Sequence, residues 1–157
     1  MHKNAQLIKT LYISLNKHLH QPMVDCYHPE ATFEDIAFKL DGKKQIHAMW
    51  GMICRPGSDI QATFKIIHAD DKTGEAELID DYTMSETGRK VHNEITSYFK
   101  FQDGLIIEHH DVCDPKKWAE QALGGVTGFL AGRFHFLRSQ KANEKLQAFI
   151  EANPDFK

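Results

Sequence analysis

Near the end of a hydrophobic, strand-like stretch, His109 and Asp111 stand two residues apart. Successive strand side chains alternate between faces, so this imidazole and this carboxylate share one side while Glu108 and His110 take the other. The preceding stretch alternates in the same way. Asn93, Ile95, Ser97, Phe99 and Phe101 fall on one face, and His92, Glu94, Thr96, Tyr98 and Lys100 on the opposite one. Gln102-Asp103-Gly104 between the two stretches reads as a hairpin turn. A mostly apolar face that ends in a carboxylate and an imidazole predicts a pocket with a reactive end. The chemistry of such a pair is proton transfer. Apolar surroundings raise a carboxyl pKa toward a useful range, and an imidazole titrates near neutral pH. Phe99 and Ile107 are expected in the wall of that pocket, with Met49, Trp50 and Ile53 from a neighbouring helix.

His109 and Asp111 also match two members of a His-x-Asp…His metal set. The third ligand is missing in this register, since His92 falls on the opposite face of the adjacent strand and the facing of His68 is open. No metal and no cofactor are therefore expected. Asp80 and Asp81 lie on another predicted strand, where one of them must face inward. Both alternating sets there contain apolar residues, so the choice stays open.

The elements that position these groups follow from periodicity. Leu7, Ile8, Leu11, Tyr12 and Leu15 recur at helical spacing, which predicts an amphipathic helix over residues 3–18. Pro22 starts a short second helix running through Tyr27, and Pro29 stops it. Residues 31–35 are a short extended segment. Ile46, Met49, Trp50 and Ile53 mark a third helix, ended by Pro56-Gly57. Ile60, Ala62, Phe64 and Ile66 alternate as a strand, and Glu75 to Met84 form another. Asp114 caps a helix with Pro115 at its first position, and Gly124-Gly125 ends it. Helices, then four antiparallel strands, then helices make an α+β plan with helices packed on one face of a curved sheet.

Bulk properties narrow the function. The 157 residues suit one domain with a real core. A net charge of −3 gives no basic field for nucleic acid. Cys26, Cys54 and Cys113 form an odd, scattered set, which fits a reducing cytoplasm rather than a disulfide framework. Polar residues interrupt the N-terminal apolar run, so no signal peptide is expected there, and no stretch reaches the length of a membrane span.

The run Tyr27-His28-Pro29-Glu30-Ala31-Thr32-Phe33-Glu34-Asp35, Gly42 at the start of the third helix, and Asp103-Gly104-x-Ile106-x-Glu108-His109-x-Asp111 together resemble the nuclear-transport-factor-2-like superfamily. Within it the chain is similar to the SnoaL-like and ketosteroid-isomerase-like branches. The likeness covers residues 1–123 as the core, with 124–157 as a helical tail packed on that core or on a dimer partner. The resemblance implies a conical α+β barrel, with a strongly curved, mainly antiparallel sheet around a pocket closed by the N-terminal helices. It also implies a homodimer formed through the sheet.

The same resemblance implies roles. Asp35 falls at the general base of the ketosteroid-isomerase-like pattern, and Tyr12 near its oxyanion donor. The acid of that apparatus falls at Ser97, a weaker donor, which argues against steroid isomerisation. A bland role for Asp35 is the capping of nearby backbone amides. Asp111 matches the base of SnoaL-like cyclases, with His109 assisting, and Tyr12 or Asn93 would stabilise charge on oxygen. Two readings result: a cofactor-independent isomerase, cyclase or lyase acting on a small apolar carbonyl compound, or a non-catalytic ligand-binding or dimerisation module of the same fold. Epoxide hydrolysis ranks lower, because Arg55 and Arg89 do not sit between two inward carboxylates.

Overall fold

The computed structural model describes residues 1–157. The elements are α1 (Lys3–Asn16), α2 (His20–Val24), β1 (Tyr27–Glu34), β2 (Lys39–Asp41), α3 (Lys43–Ile53), β3 (Gln61–Ala69), β4 (Thr73–Thr83), β5 (Lys90–Gln102), β6 (Leu105–Val112), α4 (Pro115–Ala122), α5 (Gly125–Arg133) and α6 (His135–Ala152), with a last 3₁₀ turn at Pro154–Phe156. The strands form one curved sheet in the order β2-β1-β6-β5-β4-β3. It is open at β2 and β3 rather than closed into a barrel.

Three differences from the expected plan have local causes. The first helix ends at Asn16 because His18 adopts a left-handed conformation (φ 56°). The second helix stops at Val24, so Tyr27 opens β1 instead of ending a helix. Pro29 sits inside β1, at the irregularity where the ladder to β6 slips between Tyr27 and Thr32 and a missing N–H is tolerated. The sheet is mainly antiparallel as expected, with β3 to β6 antiparallel in succession and one parallel pair. β1 runs parallel to β6, pairing Phe33 with His109.

The apolar faces of α1 and α3 cover the concave side of the sheet. Ile8, Leu11, Tyr12 and Leu15 of α1 are buried, as are Ile46 and Met49 of α3. Phe99, Phe101 and Ile106 fill one end of the sheet in the same core. The helical tail packs on this domain. The Phe156 ring lies where a Cβ on Gly51 of α3 would fall, so glycine there lets the C-terminus dock. Gly132 of α5 lets that helix close on α4, since a Cβ would meet the Lys116 Cα at 2.9 Å. Val126, Phe129, Phe134 and Phe136 of the tail stay exposed. No helix is long and apolar enough to cross a membrane.

Candidate functional site

The end of the sheet away from Phe101 is not filled by side chains. It encloses a cavity of about 900 Å³. Phe33 and Asp35 line it from β1 and its end, Met49, Trp50 and Ile53 from α3, and Asn93, Ile95 and Asp111 from β5 and β6. Asp80 and Tyr82 of β4 complete the sheet side, and Arg138 of α6 reaches in from the tail.

Asp111 is the terminus of two hydrogen-bond chains. Strand pairing sets Ser97 opposite Asp111 and Phe99 opposite His109. Tyr12 Oη donates to Ser97 Oγ (2.8 Å), and Ser97 Oγ donates to Asp111 Oδ1 (2.5 Å). On the other side Trp50 Nε1 donates to Tyr27 Oη (3.2 Å), which lies 2.7 Å from His109 Nδ1. His109 Nε2 lies 2.8 Å from the same Asp111 Oδ1. An ionised carboxylate only accepts, so Nε2 carries the proton there. Tyr27, already receiving Trp50, gives its own proton to Nδ1. This network matches the Nε2–H tautomer. Phe33 and Phe99 pack against the ring, with centroids 4.8 and 4.5 Å away, and fix its plane. Asp111 Oδ1 thus holds both donors, and Oδ2 takes no hydrogen bond from the protein.

Two further carboxyl groups face the same cavity. Burial pushes the Asp80 carboxyl up to about 8, with the negative charges of Asp111 and Asp81 adding to it. Its Oδ1 is buried without a hydrogen-bond partner. Burial likewise pushes Asp35 up to about 6, against two backbone amides that hold it down. Those amides, of Ala37 (2.8 Å) and Phe38 (2.6 Å), both bond to Asp35 Oδ1. Asp35 therefore both lines the cavity and caps its own turn. Trp118 Nε1 donates to Tyr82 Oη (2.8 Å), and burial carries that phenol up to about 12. Cys113 lines the wall as a thiol, pushed up by burial to about 11.

Sequence reasoning and structure meet at several positions and part at others. Asp35, Met49, Trp50, Ile53, Asn93 and Asp111 all line the cavity. Tyr12, Ser97, Phe99 and His109 do not, being almost fully buried behind the wall. Tyr12 packs on Phe64 (5.4 Å between centroids) and reaches Asp111 only through Ser97, so its hydroxyl is not placed to meet a ligand oxygen. Ile107 is not on the wall either. The β5–β6 ladder slips between Lys100 and Phe101, where Phe101 pairs with Ile106 but Lys100 with Glu108. That bulge inserts Ile107 as an extra residue, and the fully buried Ile106 takes the inward place. The open choice on β4 is also resolved. Asp80 turns inward, and Asp81 turns out to His92 (2.5 Å).

Three contributors are not legible in the local sequence pattern. The pattern around Pro22 places Tyr27 at the end of a helix, whereas its role depends on the β1–β6 pairing. Asp80 is half of a pair that strand alternation leaves open. Arg138 lies outside the matched core, and nothing in its local pattern marks it. Its guanidinium donates to the carbonyl oxygens of Ile36 (2.9 Å), Ala131 (3.0 Å) and Gly132 (3.3 Å), tying the tail to the loop after β1.

A curved α+β sheet with helices over one face, holding an aspartate at the end of its last strand beside a cavity, defines a class of small pocket proteins. The chain belongs to the SnoaL-like domain family, whose model matches residues 8–109. No curated protein matches it in sequence. Among solved structures it is similar to a proposed polyketide cyclase of Silicibacter, at 17% identity and TM-score 0.67 over 75% of this chain and 93% of that one. An LEH-like epoxide hydrolase of Mycobacterium tuberculosis matches at 15% identity and TM-score 0.62, over 82% and 95%. A proposed isomerase of Bacillus subtilis matches at 18% and 0.66, over 80% and 96%. Identities this low show a shared fold, which hosts several chemistries.

Proposed function

We propose that the protein is a small cofactor-independent enzyme of the isomerase, cyclase or lyase type, in which Asp111 moves a proton on an apolar carbonyl compound. The observation that carries this reading is the convergence of both hydrogen-bond chains on Asp111 Oδ1, which leaves Oδ2 of this cavity-lining carboxylate without a protein partner. A carboxylate held in one orientation by Ser97 and His109 has no rotation to lose when it reacts. In the step, a C–H bond next to the carbonyl breaks. Its proton goes to Asp111, and its electron pair moves into an enolate. Return of the proton at another carbon is isomerisation, attack of the enolate on a second carbonyl is cyclisation, and expulsion of a β-substituent is elimination. His109 is a positioning residue here, since it lies behind the cavity wall. The protein acts as a homodimer associated through its sheet, in the cytoplasm. Epoxide hydrolysis stays below proton transfer in rank, because the one buried arginine at the cavity is committed to backbone carbonyls.

The test is deuterium exchange into the α-carbon of a panel of cyclic diketones and ketoesters, followed by proton NMR. Trp50 and Trp118 both line the cavity, so tryptophan fluorescence reads ligand binding in parallel. Asp111→Asn is expected to lose exchange by about a hundredfold or more, the scale of a positioned general base, with affinity nearly unchanged. Tight binding with no Asp111-dependent exchange would replace the enzyme reading with that of a non-catalytic ligand-binding module.

A further inference from the structure

Asp80 Oδ1 is the one side-chain polar atom that is fully buried without a hydrogen-bond partner, and its residue lines this cavity. Strand register decides its facing. Ala62 of β3 and Asn93 of β5 flank it, and its neighbour Asp81 pairs outward with His92. The Asn93 amide opposite makes no hydrogen bond to Asp80 Oδ1, and several other nearby donors are engaged elsewhere. Ser97 is spent on Asp111, Trp118 on Tyr82, and the Arg138 guanidinium on three carbonyls. Asp35, the third carboxyl of the site, has two backbone amides. Asp80 Oδ1 is buried and has none.

An ionised carboxylate buried without a donor is too costly to persist, so the group holds its proton. Its upward shift to about 8 agrees. A neutral carboxyl is a hydrogen-bond donor. We infer that Asp80 is the catalytic acid of this site, donating a hydrogen bond to the substrate's carbonyl oxygen, and that the cavity accordingly selects uncharged oxygen-bearing ligands over ammonium compounds. This rests on the proton-transfer reading of Asp111. The two aspartates then divide the work through their surroundings. Asp111 is held by two donors and accepts the carbon-bound proton, while Asp80 has none and supplies the proton that faces the developing oxyanion. When the proton returns from Asp111 to carbon, the carbonyl re-forms and Asp80 keeps its own hydrogen.

Binding of acetonaphthone, an uncharged ketone that does not titrate, tests the assignment by tryptophan fluorescence on wild type, Asp80→Asn and Asp80→Leu. Asp80→Asn keeps a neutral donor in nearly the same shape. Wild type is expected to bind steadily up to about pH 7 and to weaken severalfold toward pH 9 as Asp80 ionises, whereas Asp80→Asn stays flat over that range. Asp80→Leu is expected to bind about tenfold more weakly at pH 7, the loss of one hydrogen bond. Deuterium exchange should follow the same order, with Asn rescuing what Leu loses. A pH response that persists in Asp80→Asn overturns the proposal. So does tighter binding of naphthylmethylammonium that Asp80→Asn abolishes, since this would make Asp80 an anionic amine site. If exchange is absent throughout while the acetonaphthone pattern holds, the donor role stands and the Asp111 reaction falls. If Asp111-dependent exchange persists without that pattern, only the Asp80 assignment falls.

Discussion

Ser97 and Asp111 face each other across β5 and β6, and Ser97 is the sole link between the buried Tyr12 hydroxyl and the cavity carboxylate. Its hydroxyl accepts from Tyr12 and donates to Asp111, so one small side chain satisfies both. Ser97→Ala breaks both bonds and strands a phenol that is 1% exposed. The expected cost is about 1–3 kcal/mol in urea unfolding, with turnover reduced as Asp111 loses an orienting donor. Tyr12→Phe in the same background removes the stranded group. The double variant should therefore be more stable than the sum of the two single losses predicts. Strict additivity would mean that the two hydroxyls are not coupled.

Tyr27 presents a different case, because its hydroxyl controls a tautomer. It takes the Trp50 proton and faces His109 Nδ1, which keeps the His109 hydrogen on Nε2 toward Asp111. Tyr27→Phe leaves Nδ1 without a donor and Trp50 Nε1 without an acceptor. Nitrogen-15 shifts of His109 should show Nε2–H as the main form in the wild type and a mixed population in the variant. A fall in kcat with little change in KM is expected, since His109 does not line the cavity. An unchanged imidazole spectrum would remove Tyr27 from the site.

Arg138 joins the tail to the core through three carbonyl groups, of Ile36, Ala131 and Gly132. Arg138→Met fills similar volume but orphans those acceptors, and about 2–4 kcal/mol of stability should be lost. Faster amide exchange is expected in α5 and the start of α6. Arg138→Lys should not restore protection, because one ammonium cannot reproduce the planar fork. Full protection in the lysine variant would show that charge alone holds the tail.

What was legible in the sequence divides along physical lines. Alternation is a local property, so placing His109 with Asp111, and Ser97 with Phe99, needed only the strand period. The α+β class, the cap at Asp114 and the Gly42 start of α3 are local in the same sense. Pairing is not local. The bulge that exchanges Ile106 for Ile107 depends on how β6 meets β5. Tyr27 reaches His109 only because β1 lies parallel to β6, across more than 80 residues of sequence. Asp80 and Asp81 sit in a strand whose two faces both carry apolar residues, and only the neighbouring strands settle which one is inside. Arg138 acts through a contact with Ile36 that no local pattern announces. Helical spacing puts Tyr12 on the buried face of α1, where the structure has it. Its distance from the cavity follows from Ser97 standing in between.

Asp80 also predicts how stability depends on pH. Its carboxyl lies at about 8 in the folded protein, against an ordinary value of 3.8. Between these values the folded chain keeps a proton that the unfolded chain has released. The folded state binds more protons there, so stability falls as pH rises from about 4 to about 8. Asp35, raised to about 6, adds a smaller loss confined to the interval between about 4 and 6. Asp80→Asn removes the larger part, because the amide does not ionise. The variant and the wild type should have similar unfolding midpoints at about pH 4, and the variant should gain roughly 2–5 kcal/mol over the wild type by about pH 8. Urea unfolding at intervals across that range reads the difference directly. Parallel curves for the two proteins would show that Asp80 ionises in the folded state without cost, and that its buried oxygen finds a partner after all.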